Sequence, residues 1–342
     1  MDDTLRPRQP PPGPRRILAL AGGGVRGIIE VAFLEAIEAA YQKKYGPDTR
    51  LCDVFDLVGG TSTGALIAAA LSLGHPMERI RDFYLTRAHA FFHQKRWWHF
   101  GRHPVFDCDG LEAEFRRDVG DITLGDLRIL THLAIITKRF DTGSAWIVNN
   151  LPNAPYFNDP PDGSFRGNRH FELARLLRAT TAAPLYFSQE LIALEKDGLH
   201  GVFVDGGLTP YNDPSLALLQ LAGMRAFGLN WPFNEKELFV LSLGAGRARQ
   251  NIPAENAARM RPYRVLPAAL RSMMLSADQH SLTMMEWMGT SLAPAHINSE
   301  VGTLEQDTLG PAPLFSYLRL DLPLDADPAL GISDRDARRF TA

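Results

Sequence analysis

F-D-L-V-G-G-T-S-T-G-A-L-I-A-A-A-L-S-L, running from Phe55 to Leu73, changes character twice over a short distance. Phe55 to Gly60 is a compact apolar run closed by two glycines, which predicts a buried strand. Thr61 to Gly64 predicts a tight turn, and Ala65 to Leu73 an apolar helix stopped by Gly74 and Pro76. The sequence just upstream repeats the plan. Ile17 to Leu20 reads as a short buried strand, Gly22 to Gly27 as a glycine-rich turn, and Ile28 to Lys44 as a helix with apolar residues at helical spacing. Two successive strand–loop–helix units imply a parallel sheet. Further strands are predicted at His132–Thr137, Ala145–Val148, Gly201–Val204 and Leu238–Leu243, each short, apolar and bounded by turn residues. With no internal repeat or strong linker between residues 17 and 330, the expected architecture is one α/β domain over residues 16–330. Its helices should cover both faces of a mainly parallel sheet, giving three layers.

The 342 residues, 45% hydrophobic and 22% charged, suit a globular chain of this kind. Residues 1–15, rich in proline and arginine, read as a disordered or loosely docked tail, and residues 331–342 as a C-terminal tail. A net charge of −3 gives no global reason to expect a nucleic-acid polymer as partner. Cys52 and Cys108 are too few for a disulfide framework and lack metal-ligand spacing, so both read as free thiols in a reducing cytoplasm. No histidine pattern suggests a metal. The apolar run after the basic start is too short for a signal peptide, and Ala65–Leu73 is about half of the roughly 20 residues a membrane-spanning helix needs. The expectation is a chain with neither export signal nor membrane span.

Gly60-Thr61-Ser62-Thr63-Gly64 matches G-x-S-x-G between a strand and a helix, the setting in which a sharp turn lifts a serine hydroxyl above a sheet. A side chain at Gly60 or Gly64 would crowd that turn. The plainer alternative is a loop whose serine caps the next helix. Gly22-Gly23-Gly24-Val25-Arg26-Gly27 also fits G-x-G-x-x-G, but a dinucleotide fingerprint expects a second strand ending in an acid about 20 residues on. Here that distance is helix, and the next strand enters the Ser62 turn, so no nucleotide cofactor is expected. The loop reads better as an oxyanion hole built on Gly22, Gly23, Gly24, Arg26 and Gly27, with unshielded N–H groups at a helix start. Arg26 either braces the loop through a salt bridge or steers a phosphate. Gly201 to Gly207 reads as a strand ending in Asp205, with Gly206 and Gly207 letting the carboxylate approach another turn. Strand C-termini are where α/β sheets place ligand sites, and a carboxylate within reach of a serine hydroxyl can serve as its base. Taken alone, D-G-G is a simple turn.

In this order the three motifs resemble those of the patatin-like phospholipase family: G-G-G-x-R-G, then G-x-S-x-G, then D-G-[GA]. The resemblance covers roughly residues 16–330 and includes Arg178 to Phe187 and Asn212-Asp213-Pro214. It implies a patatin-like α/β/α fold in which Ser62 attacks an acyl ester of a membrane phospholipid. Asp205 would take the proton without a histidine, N–H groups around Gly23 and Gly24 would hold the oxyanion, and a fatty acid would leave, with no cofactor. Ala21 departs from the aspartate or serine of many relatives, which should alter loop support only. The chain also looks like bacterial patatin-like effectors of cyclic-oligonucleotide antiphage signalling. That likeness implies a cyclic dinucleotide activator and a cytoplasmic enzyme meeting the inner membrane face peripherally.

Other readings stay open. A Ser-His-Asp triad could draw on His280 or His296, and an idle scaffold would have no chemical need for Ser62 and Asp205. His75 beside Pro76 reads as a capping or surface residue. Phe91 to Phe100 interleaves aromatic and basic residues, suiting a membrane interface as well as a core or a contact between copies in a homo-oligomer. Met273, Met274, Met284, Met285, Met288 and Trp287 read as a repackable core helix before an acyl-pocket lining.

Overall fold

Nine strands and nine α-helices follow one another among the described residues of the computed structural model, residues 10–91, 108–184, 186–195, 198–247 and 252–325. They are β1 (Arg15–Leu20), α1 (Gly27–Tyr45), α2 (Leu51–Val54), β2 (Leu57–Thr61), α3 (Thr63–Ser72), α4 (Met77–Phe91) and α5 (Cys108–Val119). Then come β3 (His132–Arg139), β4 (Ser144–Asn149), α6 (Leu173–Thr180), β5 (Glu190–Ala193), β6 (His200–Asp205) and α7 (Ser215–Gly223). The last are β7 (Leu238–Leu243), α8 (Ala254–Ala258), α9 (Pro262–Met288), β8 (Thr290–Ser291) and β9 (Ser316–Leu320).

The sheet runs β5-β6-β3-β2-β1-β7-β9-β8, with β4 also paired to β3. Strand β1 has a parallel neighbour on each side, β2 and β7. Its Ile17, Leu18, Ala19 and Leu20 are all buried, as a parallel strand covered on both faces requires. Alternate residues serve opposite faces. Leu18, Leu20 and Val58 join one core with Val31 and Leu34 of α1, Leu66 and Ile67 of α3 and Phe115 of α5. Ile17, Ala19 and Leu57 join the other with Leu218 and Leu221 of α7 and Leu282 and Met285 of α9. These are the three layers expected.

The sheet is mainly parallel, but β4 and β6 run against the other strands. β4 forms a hairpin with β3, β6 pairs antiparallel with both β3 and β5, and the helix between successive strands is missing within each hairpin. Strands β5, β8 and β9 are additional to those the sequence reading predicts. They are short, and they become strands by pairing at the two ends of the sheet.

At the start of the described chain, Arg16 donates to the carbonyls of Pro11 and Pro12, so this end of the tail docks against β1. Cys52 is a thiol buried in the core. Residues 1–9 and 331–342, the side chain of Cys108, and the aromatic-basic segment from residue 92 to 100 lie outside the described residues. No helix among the described residues is long and apolar enough to cross a membrane.

Candidate active site

Strand β2 ends at Thr61, helix α3 begins at Thr63, and Ser62 is the hinge between them, with φ 53° and ψ −123°. A positive φ on serine is strained and persists only where surrounding contacts hold it. The Ser62 N–H donates to Thr180 Oγ1 at 2.8 Å, the Thr61 hydroxyl donates to the Tyr211 carbonyl at 2.6 Å, and Ala65 N–H returns to the Ser62 carbonyl. The two flanking glycines meet each other. A Cβ on Gly60 would lie 2.3 Å from the Gly64 carbonyl, and one on Gly64 would lie 2.4 Å from the Leu20 carbonyl oxygen. No side chain fits either place, which is the physical content of the two glycines in G-x-S-x-G.

Asp205 is the last residue of β6 and is 7% exposed. Its Oδ2 accepts from Ser62 Oγ at 2.8 Å and its Oδ1 from Gly207 N–H at 2.7 Å. Gly206 passes so close to β3 that a Cβ would lie 2.3 Å from the Ile136 carbonyl oxygen. Burial pushes the Asp205 carboxyl up to about 6, partly offset by the hydrogen bonds from Gly207 and Ser62. Asp205 ends a strand as the sequence reading expects, but that strand runs against its neighbour. β6 is antiparallel to β3, and its end at Asp205 lies level with Thr137, while Thr61 of β2 lies level with Ile136. The aspartate therefore meets Ser62 because β6 enters from beyond the end of the sheet and stops there.

The glycine loop divides by role. The Gly22 N–H is taken by the Asn212 carbonyl at 3.1 Å, so Gly22 is not an open donor as the sequence suggested. It matters by proximity, since a Cβ there would lie 2.5 Å from Asn212 Oδ1 and 3.4 Å from Ser62 Cβ. The Gly23 N–H points to the Thr63 hydroxyl at 3.2 Å, a weak and exchangeable partner. Gly24, at φ 60°, has open space around its Cα, and its N–H meets no acceptor among the described residues. Gly27 opens α1 against Tyr84. Arg26 is a brace rather than an oxyanion donor: its guanidinium donates to the carbonyls of Gly23 and Gly246. Among the described residues it makes no salt bridge of the kind the sequence suggested.

The structure adds residues that sequence reading passed over. Thr180 belongs to the block Arg178–Phe187 and supplies the hydroxyl that holds the Ser62 amide. Asn212 ties the loops together, its carbonyl on Gly22 and its side-chain amide on the Asp278 carboxylate at 3.1 Å. Asp278, on α9, also accepts from Asp213 N–H, and burial followed by the nearby Asp213 charge pushes its carboxyl up to about 6. The hint for Asn212 was the N-D-P segment; nothing local marks Asp278. Helix α9 also corrects the methionine reading. Met285 is core, but Met274 sits at the rim, its Cε 3.1 Å from where a Cβ on Gly207 would be, and Met273 is 69% exposed.

His280 and His296 are exposed, and neither hydrogen-bonds Asp205, whose two oxygens already have protein donors. His75 does not cap α4. The Met77 N–H is capped by Glu38 of α1, and His75 lies half-buried beside Arg79, its pKa pushed down to about 4 by burial and then by Arg79. Among the described residues no cluster of His, Cys, Asp or Glu could hold a metal ion.

The family model described as Patatin-like phospholipase matches residues 18–219, a stretch that contains the glycine loop, Ser62, Asp205 and Asn212. Among curated relatives, the chain is 30% identical to Patatin-13 of Solanum tuberosum over 251 residues, 67% of this chain and 60% of that protein. It is 29% identical to Patatin group J-1 of the same plant over 272 residues, 72% of this chain and 65% of the relative. It is 30% identical to Patatin-like protein 2 of Oryza sativa subsp. japonica over 224 residues, 60% of this chain and 52% of the relative. The chain thus spans about 60% of the length of the potato protein first named. With the family model matching more than half of its residues, this chain belongs to the patatin-like phospholipase family.

Proposed function

We propose that the protein is a serine lipid acyl hydrolase that cleaves acyl esters of membrane phospholipids through a Ser62–Asp205 dyad. One observation carries the reading: the 2.8 Å hydrogen bond from Ser62 Oγ to an Asp205 oxygen whose twin is held by Gly207. This leaves the carboxylate aimed at the serine alone. Ser62 Oγ attacks the ester carbonyl carbon as its proton passes to Asp205 Oδ2, giving a tetrahedral oxyanion. The Gly24 N–H faces that charge, joined by Gly23 N–H once it leaves the Thr63 hydroxyl. The ester C–O bond then breaks, Asp205 returns the proton to the departing alkoxide, and an acyl-Ser62 ester remains. Water attacks this ester, giving its proton to Asp205, and the fatty acid and the serine hydroxyl are released. A carboxyl near 6 is well matched to this work, since at neutral pH it is ionised yet more basic than an ordinary aspartate.

Fatty-acid release from phospholipid vesicles and turnover of a soluble short-chain ester test the reading. Ser62→Ala should lower both by roughly 10⁴-fold or more, and Asp205→Ala by roughly 10²–10⁴-fold. An Asp205→Ala protein as fast as wild type would remove the dyad. Folded wild-type protein silent on both substrates would favour a scaffold. An arm with added cyclic dinucleotides, motivated by the likeness to antiphage effectors, reads regulation: a rate that rises on addition marks a switched enzyme.

A further inference from the structure

Helix α9 is two different surfaces joined end to end. Its C-terminal half packs into the body through Ser281, Leu282, Met285 and Glu286. Residues 261–273, by contrast, are exposed at every position except half-buried Ala268. That exposed part is strongly apolar along one side: Tyr263, Leu266, Leu270 and Met273 recur at helical spacing and form a stripe, with Leu266 64% exposed. An exposed apolar stripe of this kind, on a helix whose other half is anchored in the body, marks a surface that a partner covers. Charge limits the choice of what does. Arg261 and Arg264 lie in this stretch and Arg259 just before it, with no Asp or Glu from Arg259 to Ala277, although the whole chain carries a net −3. Two copies packed stripe to stripe would bring their arginines together with no acid on the arm to neutralise them. Lipid phosphates neutralise them directly.

The position fits as well. The next residue along, Met274, reaches Gly207 beside Asp205, and exposed Val25 lies next to Gly24 in the glycine loop. The apolar stripe and the mouth of the site are therefore neighbours. We propose that the N-terminal half of α9 docks the protein on an anionic lipid bilayer, its apolar stripe in the acyl–headgroup boundary and its arginines on the phosphates. The proposal rests on the reading of the site as a lipid hydrolase, because a docked arm presents that site to the bilayer.

The test is co-sedimentation of the full chain carrying Ser62→Ala, which keeps vesicles intact, with phosphatidylcholine vesicles with or without phosphatidylglycerol. The parent should bind the phosphatidylglycerol vesicles preferentially. Leu266→Asp with Leu270→Asp should lower the partition coefficient at least tenfold. Arg261→Gln with Arg264→Gln, which leaves the apolar stripe untouched, should lower it by about fivefold per arginine at low salt. The same pairs in the chain with Ser62 intact should turn over the soluble ester at the parental rate. A parent that fails to bind, or variants of both kinds that partition like the parent, would overturn the proposal. So would leucine variants that dissociate an oligomer in light scattering while keeping their vesicle partition, since the stripe would then join copies of the chain. Parent binding combined with no fatty-acid release by the Ser62 protein would sink the hydrolase reading and leave the docking surface standing.

Discussion

The two glycine-bearing turns end neighbouring parallel strands, with Leu20 beside Gly60 in register, yet they are built in opposite ways. The Gly60–Gly64 turn is packed shut. Thr61, Thr63 and Gly64 are buried, each flanking glycine touches backbone, and Ser62 is held at a positive φ by its N–H bond to Thr180 Oγ1 and by the Ala65 N–H bond to its carbonyl. The Gly22–Gly27 loop is half-open. Its middle residues are partly exposed, Gly24 has empty space around it, and while the Gly22, Arg26 and Gly27 amides bond carbonyls, Gly23 N–H has only a hydroxyl at 3.2 Å and Gly24 N–H no acceptor among the described residues. The difference follows from what each turn presents. On the proposed mechanism Ser62 is a nucleophile that must be held in one conformation, so dense contacts impose the strain. On the same proposal the Gly23 and Gly24 amides are oxyanion donors that must stay reachable, so contacts are withheld from them.

The comparison can be broken or sharpened by substitution. Ser62→Gly has the largest expected effect: ester turnover falls by roughly 10⁴-fold or more, while unfolding in denaturant shows a gain of ~1 kcal/mol as the positive φ becomes unstrained. No gain in stability would mean that the serine is not held against a backbone preference. Gly64→Ala comes next. A methyl group 2.4 Å from a carbonyl oxygen must displace β1 or α3, and thermal unfolding should report a loss of at least ~3 kcal/mol.

Asp205→Asn should move stability the other way. The carboxyl's ordinary value is 3.8 and its folded value is about 6, so the folded state binds the proton more tightly. The group's contribution is then most favourable at low pH and is lost as pH rises through about 6. By pH 8 the buried charge costs as much as ~3 kcal/mol, which a neutral asparagine removes. The melting temperature of the variant should exceed the parent's at pH 8 and converge with it near pH 4. The parent's kcat/KM should fall about tenfold per pH unit below about 6, as its base becomes protonated. A flat profile from pH 5 to 8 would remove Asp205 as base. The smallest change is Gly24→Ala, where the only penalty is the left-handed backbone, ~1 kcal/mol in stability. If it cost as much as Gly64→Ala, the contrast between a closed and an open turn would fail.

Much of this was legible before any coordinates. The strand–turn–helix units around Gly22 and Ser62, the parallel pairing of the strands that precede them, and the short spacing of Asp205 from its glycines are local patterns within a few turns of chain. Burial on both faces also announces itself locally, since Ile17 to Leu20 and Phe55 to Val58 are continuous apolar runs. What was misread depends on distance. Arg26 sits in a motif that suggests an anion, and only the approach of Gly246, 220 residues away, gives its guanidinium a carbonyl to brace. The methionines of α9 share one composition, and whether each is core, rim or exposed depends on where the body of the protein ends.

The sequence by itself determined the three-layer α/β class and the order of its motifs. It also marked the Ser62 turn, because turn chemistry and hydrophobic periodicity act over short spans that a single chain displays directly, whereas Asp205 stood out only through the order of the three motifs. Tertiary structure alone decided that β6 runs antiparallel and brings Asp205 to Ser62 from beyond the sheet. It alone decided too that Thr180, Asn212 and Asp278 clasp the site, and that half of α9 stands uncovered. Strand direction, hydrogen-bond partners and exposure are settled by which distant surfaces bury one another, and no short window of sequence contains both sides of that contact.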